Sequence, residues 1–291
     1  MTPHKDDGIS RVGVVGGGTM GVGVAEVCAR AELDVRVAVS GAASAARARG
    51  RLTASLDRAL RKERITERQR EQILGRVEFT TDRVELADRH LVVECIVEDE
   101  PAKLSLFAEL DKIVEDPEAI LASNTSSLPI MRLARTTGRA GHVIGMHFFN
   151  PAPDLPLVEL VGSLLTEERT MTRARTFTAD VLGKSTIVSP DRTGFVVNSL
   201  LIPYLVSAVR MLESGFATAE AIDLGMVAGC AHPLGPLRLA DLIGLDVVAS
   251  VAGALYEEYK EPLFAPPPLL SRMVEGGLLG RKTGQGFYTY R

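Results

Sequence analysis

At 291 residues the chain is long enough for two domains of ordinary size, and 46% hydrophobic with 24% charged residues is the make-up of a folded globular protein, not a disordered one. Thirty-three Lys and Arg against 37 Asp and Glu leave a formal charge of −4, which offers no net attraction to a nucleic-acid backbone, so no nucleic-acid partner is expected. The three cysteines, Cys28, Cys95 and Cys230, have neither zinc-ligand nor redox spacing; no metal site is expected, and the thiols read as small buried hydrophobes in a reducing compartment.

The first ten residues are polar, with His4, Lys5, Asp6 and Asp7, and lack the apolar run of a signal peptide. A short apolar run from Arg11 to Gly16 ends in glycines, and helical spacing follows from Thr19 to Ala31, where Met20, Val24, Val27 and Cys28 share a face. With Val35 to Val39 these make a β-α-β unit, the building block of parallel sheets. Ala42 to Gly75 is charged and helix-friendly and reads as a helical hairpin, with Thr66 and Gln69 spaced as a capping box at the start of its second arm. Further strands are predicted at Val77 to Thr80, His90 to Ile96, Ala119 to Ser123 and His142 to Phe148, with a helix over Lys103 to Val114. Leu157 to Val161 and Ser185 to Val188 look like two more strands. From Gly194 the pattern is helical: Phe195 to Leu212, Thr218 to Val227, Pro236 to Tyr256 and Leu269 to Val274. The first of these is the most apolar long stretch, but Asn198, Pro203 and Arg210 interrupt it, so it reads as a buried helix and no membrane association is expected; the expected location is the cytoplasm. The alternation implies an α/β fold: a Rossmann-type doubly wound sheet with a helical hairpin insertion, residues 1–190, followed by an all-α C-terminal domain, residues 191–291.

Gly16-Gly17-Gly18-Thr19-Met20-Gly21 satisfies G-x-G-x-x-G between a strand and a helix, the setting in which that pattern binds a dinucleotide. Gly16 permits the tight turn, Gly18 lets the backbone approach the pyrophosphate, and Gly21 lets the helix pack closely on the strand. The free N–H groups of the helix start, at Thr19 and Met20, then face the phosphates. One part is missing. The acid that binds the adenosine ribose, about 20 residues on, is replaced by Val39, followed by Ser40, and Asp34 lies at the wrong end of the strand. Two readings stay open: NAD, with the ribose held by other groups, or NADP, with Ser40 and Arg47 or Arg49 meeting a 2′-phosphate. NAD is kept ahead.

Seven segments, in order, carry a resemblance: Val14 to Gly21, Ala122 to Leu128, Gly145 to Pro151, Gly194 to Asn198, His232 to Pro236, Asp241 to Asp246 and Gly280 to Tyr288. On these the chain resembles the 3-hydroxyacyl-CoA dehydrogenase family, on the side of its bacterial 3-hydroxybutyryl-CoA members, over essentially its whole length. The resemblance implies an oxidoreductase that interconverts 3-hydroxyacyl-CoA and 3-ketoacyl-CoA. It implies that Ser126, His147, Glu159 and Asn198 are the catalytic and substrate-binding residues, and that Glu98, Lys103, Ser126 and Asn150 lie on the nicotinamide side of the cofactor. It also implies that the C-terminal domain binds substrate and forms a homodimer.

The chemistry suits these residue types. Hydride leaves C3 of the substrate while the 3-hydroxyl loses its proton, a task for a base such as His147. Glu159 can fix the imidazole tautomer and stabilise the imidazolium, Ser126 can hydrogen-bond the reacting oxygen, and Asn198 can donate to a substrate carbonyl. Each has an ordinary alternative: His147 as a satisfied core residue, Glu159 facing solvent on an alternating strand, Ser126 as a helix cap. Cys230 and His232 are too few ligands for a metal. Arg58, Arg61, Lys62 and Arg64 on the hairpin read as a solvated face, or as a surface for the 3′-phosphate of CoA or for an acidic acyl carrier protein. Three departures from the family pattern stand out: Val39, Pro156 where a Lys is usual, and the small-residue run Ser40 to Ser44. They leave a carrier-protein-linked hydroxyacyl substrate, as in polyketide extender-unit pathways, as the alternative to CoA. A non-catalytic nucleotide-binding protein is the alternative of another class.

Overall fold

Central strands rich in Val, Ile and Leu and buried at nearly every position need helices on both faces, and that is what the computed structural model of residues 8–290 contains. The polar residues His4, Lys5, Asp6 and Asp7 lie outside the described residues. The chain divides into two compact units, one ending at Asp191 and the other beginning at Arg192. In chain order the first unit consists of β1 (Arg11–Val15), α1 (Thr19–Arg30), β2 (Asp34–Ala38), α2 (Ala42–Arg61), α3 (Glu67–Gly75), β3 (Val77–Thr80), β4 (Leu91–Glu94), α4 (Glu100–Ile113), β5 (Ile120–Ser123), α5 (Ile130–Ala134), β6 (Val143–Phe148), β7 (Leu157–Gly162), α6 (Glu168–Thr176) and β8 (Ser185–Pro190).

These eight strands form one sheet in the order β3-β2-β1-β4-β5-β6-β7-β8. The first six are parallel; β7 then runs antiparallel to β6, and β8 parallel to β7. The strand order reverses between β1 and β4, and the carboxyl ends of strands flanking such a switch point are where open α/β sheets bind ligands. Between β2 and β3 sits the predicted hairpin. Its first arm buries Ala48, Leu52, Leu56 and Ala59, three or four residues apart, against the core. The capping box of the second arm is present: Thr66 Oγ1 accepts from the Gln69 N–H at 3.2 Å and Gln69 Oε1 accepts from the Thr66 N–H at 2.8 Å. Arg70 and Asp57 join the two arms at 2.8 Å.

The second unit holds α7 (Val197–Glu213), α8 (Ala219–Cys230), α9 (Pro236–Ile243), α10 (Leu245–Tyr259) and α11 (Pro268–Glu275) around a core of Leu205, Val206, Leu237, Leu245, Val248 and Leu255. The single helix expected over Pro236 to Tyr256 is two helices bent by 98°, because Gly244 takes φ +107° between them. The helix expected from Phe195 starts two residues later, since Phe195 itself has φ +48°. Cys230 is exposed, not buried; α8 presents an apolar but unburied end to the surface. Two buried carboxylates organise the C-terminal segment. Asp223 accepts from the N–H groups of Leu237 and Arg238 at 2.8 and 3.1 Å and from the Tyr288 hydroxyl at 2.9 Å. Asp241 accepts from the N–H groups of Phe287 and Tyr288, both at 2.9 Å, and from the Tyr290 hydroxyl at 3.0 Å. Burial, followed by the hydrogen bond to Asp241, pushes the Tyr290 phenol up to about 12. The segments at Asp241 and at Gly280 to Tyr288 are thus halves of one clasp. Among the described residues no single helix is long and apolar enough to cross a membrane.

Candidate active site

The glycine loop closes β1 and opens α1. Gly16 has φ +118°, and a Cβ on Gly21 would overlap the Gly16 carbonyl, so the first turn of α1 lies directly on the end of β1. At Gly18, by contrast, an added Cβ would meet nothing within 4 Å among the described residues. Space is left over the backbone there. Gly18 precedes the helix, no side chain among the described residues caps it, and no acid stands in its first turn. Its N–H groups and partial positive charge are therefore available to a phosphate, and the residues present fit a dinucleotide. Gly21→Ala is expected to push the loop off β1 and weaken dinucleotide binding by roughly ten-fold or more; titration calorimetry giving the unaltered affinity would show that the loop does not hold the phosphates.

A groove of about 630 Å³ runs across the carboxyl ends of the parallel strands, past this loop. It contains every cofactor candidate singled out above except Gly21, Arg47, Arg49 and Asn150. At one end are Val39, Ser40 and Ser44, together with Arg83, a cation that sequence reasoning missed because it belongs to a short turn after β3. Arg83 is paired with Glu109, and the Arg49 guanidinium lies over the Phe79 ring, 5.1 Å from its centroid. At the other end lie Glu98, Lys103, Asn124 and Ser126.

Behind that end is a buried charge cluster. Glu94 ends the apolar run of β4 and is fully buried. Both its oxygens accept from Lys103 Nζ at 2.8 Å; Oε1 also accepts from the Ile96 N–H at 2.7 Å and Oε2 from the Ser123 hydroxyl at 2.6 Å. Lys103 is placed by α4, which starts at Glu100, three residues before the predicted point, because Asp99 caps it by accepting from the Ala102 N–H at 2.9 Å. The same ammonium lies 3.0 Å from Glu98 Oε2. Glu98 Oε1 accepts from the hydroxyls of Thr125 and Ser127 and from the Ser126 N–H, which fixes the loop after β5. Burial works against the charged forms of Glu98 and Lys103, but their mutual attraction and hydrogen bonds outweigh it: the carboxyl is held below its ordinary value and the ammonium above its own. Ser123 and Thr125 fall in the segment Ala122 to Leu128 that carried the resemblance, whereas the only sequence signal for Glu94 was polarity at the end of a buried strand.

His147 and Glu159 are twelve residues apart in sequence and directly opposite in space, because antiparallel β7 pairs them across from each other. His147 Nδ1 lies 2.7 Å from Glu159 Oε2, and Nε2 lies 3.2 Å from Ser126 Oγ. Glu159 is fully buried, and so is not the solvent-facing residue of an alternating strand; His147 is 4% exposed, with the Phe149 ring 4.5 Å from its own. Asn124 supports this corner by accepting from the Phe148 N–H at 2.8 Å. The loop between β6 and β7 is pinned by Lys184 Nζ, which donates to the carbonyls of Ala152 and Leu155 at 2.8 and 2.7 Å. Asn150 lines not the long groove but a neighbouring one of about 300 Å³, which Thr19, Ser55, Arg51 and Arg58 share. Arg51 also donates to the Gly17 carbonyl at 3.2 Å. Asn198 belongs to the second unit, in the first turn of α7. Among the described residues no three His, Cys, Asp or Glu side chains are grouped to hold a metal ion.

Comparison with known proteins shows the family. The description "3-hydroxyacyl-CoA dehydrogenase, NAD binding domain" matches residues 11–192, and "3-hydroxyacyl-CoA dehydrogenase, C-terminal domain" matches residues 194–290. The chain is 55% identical to a 3-hydroxybutyryl-CoA dehydrogenase of Mycobacterium tuberculosis over 98% of its own length and 99% of the relative's. Among solved structures, M. tuberculosis FadB2 superposes with a TM-score of 0.96 at 55% identity, covering 97% of this chain and 99% of that one. The (S)-3-hydroxybutyryl-CoA dehydrogenase PaaH1 of Ralstonia eutropha gives 0.91 at 41% identity, with the same coverage. The chain, a Rossmann-type dinucleotide-binding unit followed by a helical one, belongs to the 3-hydroxyacyl-CoA dehydrogenase family.

Proposed function

We propose that the protein transfers a hydride between a nicotinamide dinucleotide and C3 of a 3-hydroxyacyl- or 3-ketoacyl-CoA thioester, with His147 taking or returning the proton of the 3-hydroxyl. The observation that carries this reading is the Ser126–His147–Glu159 chain of contacts at the groove wall. When bound, the nicotinamide supplies the acceptor or donor of the hydride. A carboxylate only accepts, so Glu159 fixes the proton on Nδ1 and leaves the Nε2 lone pair directed at Ser126. In the oxidative direction Nε2 takes the hydroxyl proton and the buried Glu159 carboxylate, 2.7 Å away, stabilises the imidazolium that results. Ser126, which lines the groove, hydrogen-bonds the reacting oxygen. Oxidation of NADH by acetoacetyl-CoA, followed by absorbance, tests the reading; no turnover with either NADH or NADPH would contradict it.

NAD is taken as the cofactor, because Arg83 and Arg49 near the Val39 end are already engaged by Glu109 and Phe79. Val39→Asp is expected to shift the NADH-over-NADPH ratio of kcat/KM upward by roughly ten-fold, since a carboxylate there repels a 2′-phosphate. An unchanged ratio would show that this position does not read the ribose. The basic groove with Arg51 and Arg58 suits CoA phosphates. It equally suits an acidic carrier protein, and a carrier-linked substrate outcompeting its CoA analogue would favour that second reading. A homodimer forms part of the proposal: Leu224 and Val227, 66% and 40% exposed one helical turn apart on α8, are apolar surface of the kind two subunits bury. Leu224→Asp is expected to yield monomers in sedimentation; dimers of unchanged affinity would move the interface elsewhere.

A further inference from the structure

We infer that the Glu94–Lys103–Glu98 cluster sets the redox preference of the cofactor site, by holding one unit of negative charge that favours the oxidised, cationic nicotinamide over the neutral reduced one. The inference rests on the nicotinamide reading above. Its basis is a count of charge by hydrogen bonding. Glu94 receives four hydrogen bonds, two at each oxygen, from three groups; the Lys103 ammonium meets both oxygens and the Ile96 N–H one of them, and these two can only donate, which is the pattern of an ionised carboxylate. Glu98 accepts from two hydroxyls and an N–H at Oε1 and faces the ammonium at Oε2, and its carboxyl is held below its ordinary value. Lys103 is the single cation between them. Two carboxylates against one ammonium leave one negative charge uncompensated within the cluster.

The buried members of the cluster, Glu94 and Lys103, offset each other, and the excess charge falls on Glu98, whose side chain is 36% exposed. The cluster thus keeps its excess at the surface where Glu98 and Lys103 form the groove wall beside Ser126. That end lies across the glycine loop from Val39, and so is the end remote from the adenosine. The neighbouring Cys95 thiol does not add to the count, since burial pushes its pKa far up and keeps it neutral. The reduced and oxidised cofactors differ at this end by one positive charge on the ring, so a fixed negative charge near it discriminates between them without touching either. Glu94, enclosed by β4, β5 and α4, acts through Lys103 and Glu98; it is a positioning residue, and it supplies half of the negative charge.

The test is the pair of dissociation constants for NAD⁺ and NADH on the full chain, NADH from its own fluorescence and NAD⁺ from its displacement of bound NADH. Glu94→Gln removes one charge with little change of shape. It is expected to weaken NAD⁺ roughly ten-fold relative to NADH. Glu98→Gln removes the same charge from a half-exposed position, so it reports on charge even if the buried substitution fails to fold, and the same relative shift is expected. The double substitution Glu94→Gln/Lys103→Met restores the excess charge, carried by Glu98 alone, and should return the ratio towards that of the unmodified protein. Both cofactor forms weakened equally in Glu94→Gln and Glu98→Gln would overturn the inference and leave the cluster a purely structural role. An unmodified protein that binds neither form would instead sink the nicotinamide reading itself.

Discussion

His147→Ala is expected to lower kcat by ~10²–10⁴-fold with acetoacetyl-CoA and NADH, the range over which a positioned acid or base contributes. His147 Nε2 meets the groove-lining Ser126 and its Nδ1 meets a carboxylate that water does not reach. The loss should fall on kcat more than on KM, because proton transfer belongs to the transition state and not to ground-state binding. Removing the imidazole also takes a partner from buried Glu159, so the melting temperature should fall as well. His147→Gln separates the two effects: its amide N–H can still donate to Glu159, so this variant should be nearly as inactive but more stable than the alanine variant. A kcat within about ten-fold of the unmodified enzyme in either variant would remove His147 from the chemistry.

The largest stability effect is expected at Lys103. Replacing it by Met leaves Glu94 fully buried with no cation beside it and Glu98 without its ion pair. Breaking a buried pair from one side costs about 3–5 kcal/mol, because the stranded charge is not solvated. Urea denaturation should show a loss of that order for Lys103→Met and a much smaller one for the double substitution Glu94→Gln/Lys103→Met, in which the stranded charge is gone. Equal losses in the two would mean that Lys103 contributes through the packing of its alkyl chain and not through its charge.

The parts of this molecule that were legible in the sequence are those set by local pattern. The G-x-G-x-x-G turn, the apolar runs of the central strands and the Thr66–Gln69 box each reflect forces acting within a few residues, and each is where it was predicted. The bend at Gly244 was missed because apolar spacing continues across it; only the glycine's positive φ, a property of the folded backbone, breaks the helix. In the site, the identities of His147 and Glu159 were visible, but their contact was not derivable from spacing alone. It depends on β7 reversing direction beside β6, a choice made by the sheet as a whole. Glu94 and Arg83 went unnoticed for a related reason. A lone acid at the end of one strand, or a lone Arg in a turn, carries meaning only once α4 delivers Lys103 to the first and the groove passes the second. Asn150 was assigned to the nicotinamide side by resemblance alone; it lines the neighbouring groove that holds Arg51 and Arg58 and that shares Thr19 with the long one.

Hydride transfer to C3 can be followed directly. The enzyme would be given acetoacetyl-CoA and NADH carrying deuterium on both C4 positions of the nicotinamide, and the product analysed by mass spectrometry. The account predicts 3-hydroxybutyryl-CoA bearing one deuterium at C3, formed in step with oxidation of the cofactor and suppressed in His147→Ala. Product without label, or a cofactor that stays reduced while substrate is present, would contradict it.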